Sequence, residues 1–299
     1  MEARYNSQLR LLLAVLPEVA KEPCFALHGG TAINLFIRNL PRLSVDIDLT
    51  YIPIEDRATS ITGIQTGQGS IKTKIQSAFP LFKVQHKESI GKLLISDKGV
   101  TIKIEVNLTG RGTLELPKKM TICEMVQTKF DVFCVMPIVP IGQLYGGKVC
   151  AALDRQHPRD LFDVKFLMDN GGITEEIKIG FLLCLLGSER PMHEILKPNL
   201  KDQRLALANQ FYGMTAEQFS YSDFEDTRNW LVEKILSTLT NYDKIFLVSV
   251  INMAPDWSIY DFERFPNVQW KMVNLQKLKE EKPDKHKQEL LSLEAMLFA

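Results

Sequence analysis

The sequence lacks the features that would tie it to a membrane, a disulfide scaffold or a structural zinc site. Its five cysteines, Cys24, Cys123, Cys134, Cys150 and Cys184, are scattered, with no C-x-x-C pair. That excludes a disulfide framework and a zinc knuckle, and reads as small buried hydrophobes in a reducing cytoplasm. The longest apolar runs, residues 181–186 and 245–251, fall well short of the ~20 residues that span a bilayer. The first 23 residues carry a charged amphipathic pattern without a small-residue cleavage site, so they do not read as a signal peptide. A charge excess is missing as well: 36 basic residues balance 36 acidic ones. The whole molecule is therefore no polycation, and any nucleic-acid contact must use a local basic patch. There is no internal repeat and no low-complexity segment. What is present is an ordinary globular composition, 45% apolar and 24% charged over 299 residues, enough for two cores.

Periodicity divides the chain into two parts. Residues 6–20 have helical spacing, 24–27 form a short apolar run, and 31–39 read as a helix with Thr31 near its start. A strand follows at 44–49. The polar stretch 53–69 reads as irregular, with a short helix at 71–78. Three strand-like runs come next, at 81–86, 92–96 and 101–108, the last two joined by the turn signal Asp97-Lys98-Gly99. From about Ile141 onward the patterns are helical: one helix opens at Thr174-Glu175-Glu176, another behind a capping box at Ser222–Glu225, another at Asn241-Tyr242-Asp243. The tail from Trp270 is broken at Pro283. The expectation is an α+β fold with a small mixed sheet over residues 1–140 and an α-helical domain over 141–299.

Chemistry concentrates in two blocks. In Ser44-Val45-Asp46-Ile47-Asp48-Leu49, strand alternation sends Val45, Ile47 and Leu49 to one face and both aspartates to the other. Paired carboxylates repel unless a cation lies between them. The preceding Gly29-Gly30-Thr31 turn is suited to receive a phosphate, so the pair points to Mg²⁺-dependent nucleotide chemistry, with Mn²⁺ able to substitute. Arg42 and Ser44, just ahead of the strand, are further triphosphate-binding candidates. In the run 101–107, Lys103, Glu105 and Asn107 alternate against Ile102, Ile104 and Val106. If that strand lies beside the first, Glu105 supplies a third metal ligand or a base; otherwise it is an ordinary solvent-facing residue.

The second block is residues 146–163. Lys148 and Arg155, seven apart, share one helix face. Pro158 suits the first turn of a new helix carrying Arg159, Asp160 and Asp163. These cations can neutralise a triphosphate while a carboxylate orients Lys148; the other reading is a helical hairpin laced by salt bridges.

Gly29-Gly30-Thr31, then Arg42-x-Ser44-x-Asp46-Ile47-Asp48-Leu49, then Lys148 and Arg159-Asp160-Leu161-Phe162-Asp163, resemble the AbiEii/AbiGii nucleotidyltransferase toxins of the DNA polymerase β-like superfamily. The resemblance covers roughly residues 25–170. It implies a nucleotidyltransferase sheet with a helical C-terminal domain, an NTP substrate, and Mg²⁺ on Asp46 and Asp48. It further implies triphosphate contact by Thr31, phosphate binding by Lys148, and an essential acid at Asp160 or Asp163. Some family members modify the 3′ end of tRNA, and many are the toxin of a toxin–antitoxin or phage-defence pair with an antitoxin partner. The turn departs from the superfamily's Gly-Ser, keeping a hydroxyl as Thr, and the third acid would be Glu105. The rival functions are transfer to a small molecule or a protein, and a catalytically silent NTP-binding regulator.

Overall fold

Strict alternation in the central strand runs builds a sheet with one apolar and one polar face. In the computed structural model, which describes residues 3–298, this sheet has seven strands in the order β3-β4-β5-β2-β1-β7-β6. They are β1 (Phe25–His28), β2 (Asp46–Tyr51), β3 (Lys83–Lys87), β4 (Lys92–Asp97), β5 (Val100–Val106), β6 (Lys118–Thr121) and β7 (Val135–Ile138). β2 runs antiparallel to β1 and parallel to β5, so the sheet is mixed. Leu27, Ile47, Leu49, Ile102, Ile104, Leu93 and Ile95 are all buried on one side. Helices α1 (Ala3–Ala20) and α3 (Arg57–Ala78) pack against the sheet and each other. Between β1 and β2 lies α2 (Gly29–Ala32), continued by a π-helical stretch, Ile33–Ile37. A short α4 (Glu124–Phe130) separates β6 from β7.

Several local expectations are corrected. From Arg57 the polar stretch is helical and continuous with the helix expected at 71–78, because Asp56 caps α3 by accepting hydrogen bonds from the Ala58 and Thr59 backbone N–H groups. Its glycines, poor helix formers, disguise it; two of them are required, because a Cβ at Gly63 would strike the Tyr51 ring and hydroxyl, and one at Gly67 would stand 2.7 Å from Phe25. The helix after β1 opens at Gly29 rather than Thr31. The antiparallel pair β6–β7, joined through α4, is one the sequence reading left out: the two strands have four residues each and little alternation. The β4–β5 turn forms as expected, with Lys98 and Gly99 both at positive φ (44° and 81°), a type I′ arrangement.

The chain divides into two compact units: Met1–Pro140 with Ala208–Gln218, and Ile141–Leu207 with Phe219–Ala299. The segment Ala208–Gln218 joins the first by pairing with the loop before β2. The Leu43 N–H donates to the Met214 carbonyl (2.7 Å), Thr215 Oγ1 donates to the Pro41 carbonyl (2.8 Å), and Arg42 and Thr215 form an antiparallel bridge.

The second unit is helical. It contains α5 (Ile141–Arg155), α6 (Pro158–Met168), α7 (Glu175–Leu186), α8 (Met192–Leu196), most of α9 (Arg204–Gln210), α10 (Tyr221–Thr238), α11 (Asn241–Ile251), α12 (Pro266–Glu281) and α13 (Pro283–Phe298). Helices α5 and α7 approach closely enough that a Cβ on Gly146 would collide with the Gly180 backbone. Thr174 caps α7, and Thr240 with Asp243 forms a capping box for α11. The box ahead of α10 is Ser220/Asp223, two residues earlier than the expected Ser222, whose hydroxyl lies inside the first turn. Among the described residues no helix is long and apolar enough to cross a membrane.

Candidate active site

Asp46 and Asp48 emerge on the polar face of β2, both half-buried, while Ile47 between them is fully buried. In register, Asp48 stands opposite His28 on β1 and Glu105 on β5, and Asp46 opposite Lys103. The adjacency of the two strands expected from the sequence is therefore real, and Glu105 lies beside Asp48.

The glycine turn is fitted to these acids. Gly29 has φ +71°, a conformation side chains rarely adopt, and a Cβ there would collide with the Asp48 carboxylate. A Cβ on Gly30 would stand 2.7 Å from Arg42 Nη2 and 3.1 Å from Ser44 Oγ. Thr31 is fully buried; its hydroxyl pairs with Ser44 Oγ at 2.9 Å and donates to the Asp46 backbone carbonyl. It thus ties α2 to the start of β2. Arg42 is 3% exposed and donates to the Leu43 carbonyl at 3.0 Å. His28 lies at the strand end, with Nδ1 3.4 Å from Thr50 Oγ1. Gly29, Gly30, Thr31, Arg42, Ser44, Asp46 and Asp48 therefore form one connected group in the first unit.

Glu105 is used differently. One carboxylate oxygen pairs with Lys92 Nζ at 2.5 Å and the other with Lys103 Nζ at 2.7 Å. Burial alone would raise the Glu105 carboxyl, but hydrogen bonds and charge from the two lysines outweigh it and hold it below the usual range. Lys103 also lies 3.8 Å from Asp46 Oδ2. Burial would lower that ammonium, yet the Glu105 hydrogen bond and the charges of Asp46, Glu105 and Asp48 raise it above its ordinary value. Among the described residues no group of three His, Cys, Asp or Glu side chains is placed to hold a metal ion. Lys103 and Lys92 are the participants the sequence reading did not assign; their signal was the Lys-x-Glu alternation that puts Lys103 on the face of Glu105.

In the second unit, α5 and α6 bring Lys148, Arg155, Asp160 and Asp163 together. Lys148 Nζ reaches Asp160 Oδ1 at 3.0 Å and Asp163 Oδ2 at 3.1 Å, with all three side chains at most 8% exposed. Arg155, largely exposed, pairs with the other Asp160 oxygen at 2.8 Å. Burial would raise the Asp160 carboxyl, but the charges of Lys148 and Arg155 overcome it and bring it down to about 2. The turn is made by Gln156, at φ +54°, its side-chain amide donating to the Asn199 carbonyl. His157 follows as the cap of α6, its Nδ1 accepting from the Arg159 N–H at 3.1 Å, with Pro158 in the first turn. Arg159 itself is half-buried.

Comparison with known proteins places the chain in a family. The model of the nucleotidyl transferase AbiEii toxin family, type IV toxin–antitoxin system, matches residues 10–256. The chain belongs to the AbiEii family. Its activity class is accordingly nucleotidyl transfer and its biological role that of a toxin. Among solved structures, it is similar to MenT4, the nucleotidyltransferase toxin Rv2826c from Mycobacterium tuberculosis H37Rv, with a TM-score of 0.63 at 13% identity, covering 92% of this chain and 95% of that one. At that identity the likeness carries the fold, a nucleotidyltransferase sheet accompanied by a helical unit. A search of curated proteins found no match.

Proposed function

We propose that this AbiEii-family toxin transfers a nucleotidyl group from a nucleoside triphosphate to a hydroxyl of RNA, the 3′ end of tRNA being the acceptor. The acceptor oxygen bonds to the α-phosphorus, the bond to the β-phosphate oxygen breaks, and pyrophosphate leaves. The observation that carries this reading is the Asp46/Asp48 pair on one face of β2, seated against the Gly29-Gly30 turn.

Two hard oxygen donors on one strand face suit Mg²⁺ or Mn²⁺. The fit is supported by the cation already drawn there, since the Lys103 ammonium lies 3.8 Å from Asp46 and its protonated form is favoured by both aspartates. Asp46 and Asp48 would hold the ion, which supplies Lewis-acid stabilisation of phosphate charge when bound. We assign Glu105 to its two lysines rather than to the metal. Gly29 and Gly30 let the backbone approach the phosphates, with Arg42 and Ser44 shaping the turn from behind and Thr31 locking it to β2. Lys148, Arg155 and Arg159 are assigned to phosphate charge, and Asp160 and Asp163 to holding Lys148. The cellular partner is a cognate antitoxin protein.

The test is incubation of the protein with α-labelled nucleoside triphosphates, Mg²⁺ and total tRNA. Label in tRNA is expected, lost in Asp46→Ala. No label in any RNA, together with equal harmlessness of wild type and Asp46→Ala on expression, overturns the reading.

A further inference from the structure

The polar face of the sheet does not end at the aspartates. One cross-strand row runs Asp48, Glu105, Lys92, Lys87 from β2 to β3; the next runs Asp46, Lys103, Leu94, Gln85; a third joins Thr101, Ser96 and Lys83. Residues directly opposite one another project to the same side of a sheet. The outer three strands therefore present Lys83, Lys87, Lys92 and Lys103 on the aspartates' own face, against a single acid, Glu105, which Lys92 and Lys103 already neutralise. Lys83, Gln85, Lys87 and Thr101 are exposed, and Lys92 and Lys103 half-buried. In a chain whose charges sum to zero, this clustering is local. Lys87 and Lys92 stand directly opposite each other, a like-charge pairing that destabilises a ladder, and a bound polyanion would relieve it.

We propose that this face is the track on which the RNA acceptor strand lies, its phosphates on Lys83, Lys87, Lys92 and Lys103 and its reactive end toward Asp46 and Asp48. The inference rests on the RNA-directed reading above and specifies how RNA is held. Three interstrand spacings separate β2 from β3, about 14 Å at ~4.8 Å each. At the ~3.4 Å per-strand spacing of a stacked strand, that span holds about four phosphates. No aromatic side chain stands among the residues of these three rows. Base stacking, the usual second component of single-strand binding, is thus missing. Recognition on this track is electrostatic, steep in salt and indifferent to sequence.

The experiment measures anisotropy of a labelled single-stranded RNA 12-mer against the full chain across a KCl series. Each phosphate contact contributes about 0.7 to the log–log salt slope for single strands, so four contacts give a slope near −3. Lys83→Ala/Lys87→Ala, two exposed edge-strand changes outside the nucleotide-binding residues, should weaken binding about tenfold and flatten the slope by about 1.4. Oligo-U and mixed sequences should bind alike, and Mn²⁺-dependent binding of a fluorescent nucleotide analogue should be unchanged. RNA affinity and slope identical in wild type and the double variant overturn the proposal. So does failure to bind RNA while polyglutamate binds through the same lysines, which would make the face a site for an acidic protein. Asp46→Ala should abolish transfer yet keep RNA binding, so failure of the catalytic reading and failure of the track are told apart.

Discussion

Asp48 and Glu105 stand directly opposite each other on parallel neighbouring strands, and both Glu105 oxygens are held by lysines. On that geometry we propose that Glu105 serves its two lysines rather than a metal ion. Asp48→Asn is expected to lower Mn²⁺ affinity at least tenfold by electron paramagnetic resonance titration, and Glu105→Gln to leave it within threefold. Equal losses in the two variants would return Glu105 to the metal.

Gly29 is the one position in the turn where both conformation and space exclude a side chain. Gly29→Ala forces a methyl group into the Asp48 carboxylate at φ +71°, with a backbone cost of about 1–2 kcal/mol before any steric clash. Thermal denaturation should show a modest loss of stability, and nucleotide binding should fall much further than stability does. Proportionate changes in both would show the turn to be a packing feature alone.

Lys148 neutralises two carboxylates that are each at most 5% exposed. Removing one partner of a buried ionic group leaves uncompensated charge and typically costs about 3–5 kcal/mol. Lys148→Met should lose that much in urea unfolding, and adding Asp163→Asn should recover part of it. A Lys148→Met protein of wild-type stability would mean that water reaches the cluster.

Asp160 links the same cluster to acid stability. Its carboxyl sits at about 2, against 3.8 for the ordinary group. A carboxyl depressed on folding stabilises the native state above its unfolded value, and that stabilisation fades as pH falls toward the folded value. The difference amounts to on the order of 2 kcal/mol. Unfolding free energy should therefore drop between about pH 4 and pH 2, with a smaller drop in Asp160→Asn. Parallel acid profiles for the two proteins would contradict the assignment.

The sequence was most legible where period and chemistry coincide. Asp-Ile-Asp in an alternating run shows its face and its strand at once, and the pairing of β5 with β2 meets the condition set for Glu105 to stand beside the aspartates. The Lys148–Asp160–Asp163 group was readable because helical spacing and a proline fix it locally. The structure shows the block as a helical hairpin laced by salt bridges, and its role toward phosphate is the proposal made above. The last turns of α3 were legible as a helix over 71–78, but its first part was hidden because Gly63 and Gly67 answer to Tyr51 and Phe25, partners on other elements that no local pattern reveals. The pair β6–β7 was hidden by the shortness of its strands. The lysine partners of Glu105 depend on which strands are neighbours, Lys92 arriving from β4 across a register that propensity alone cannot set.

The loop carrying Arg42 and Ser44 is closed by Met214 and Thr215. A nascent chain that has emerged only through its sheet, or even through α5 to α8, still lacks the strand partner of that loop. The cradle behind the glycine turn is thus finished only when Thr215, 174 residues beyond Pro41, has been made. For a toxin, that order of assembly delays the armed state until the segment carrying Met214 and Thr215 has been made.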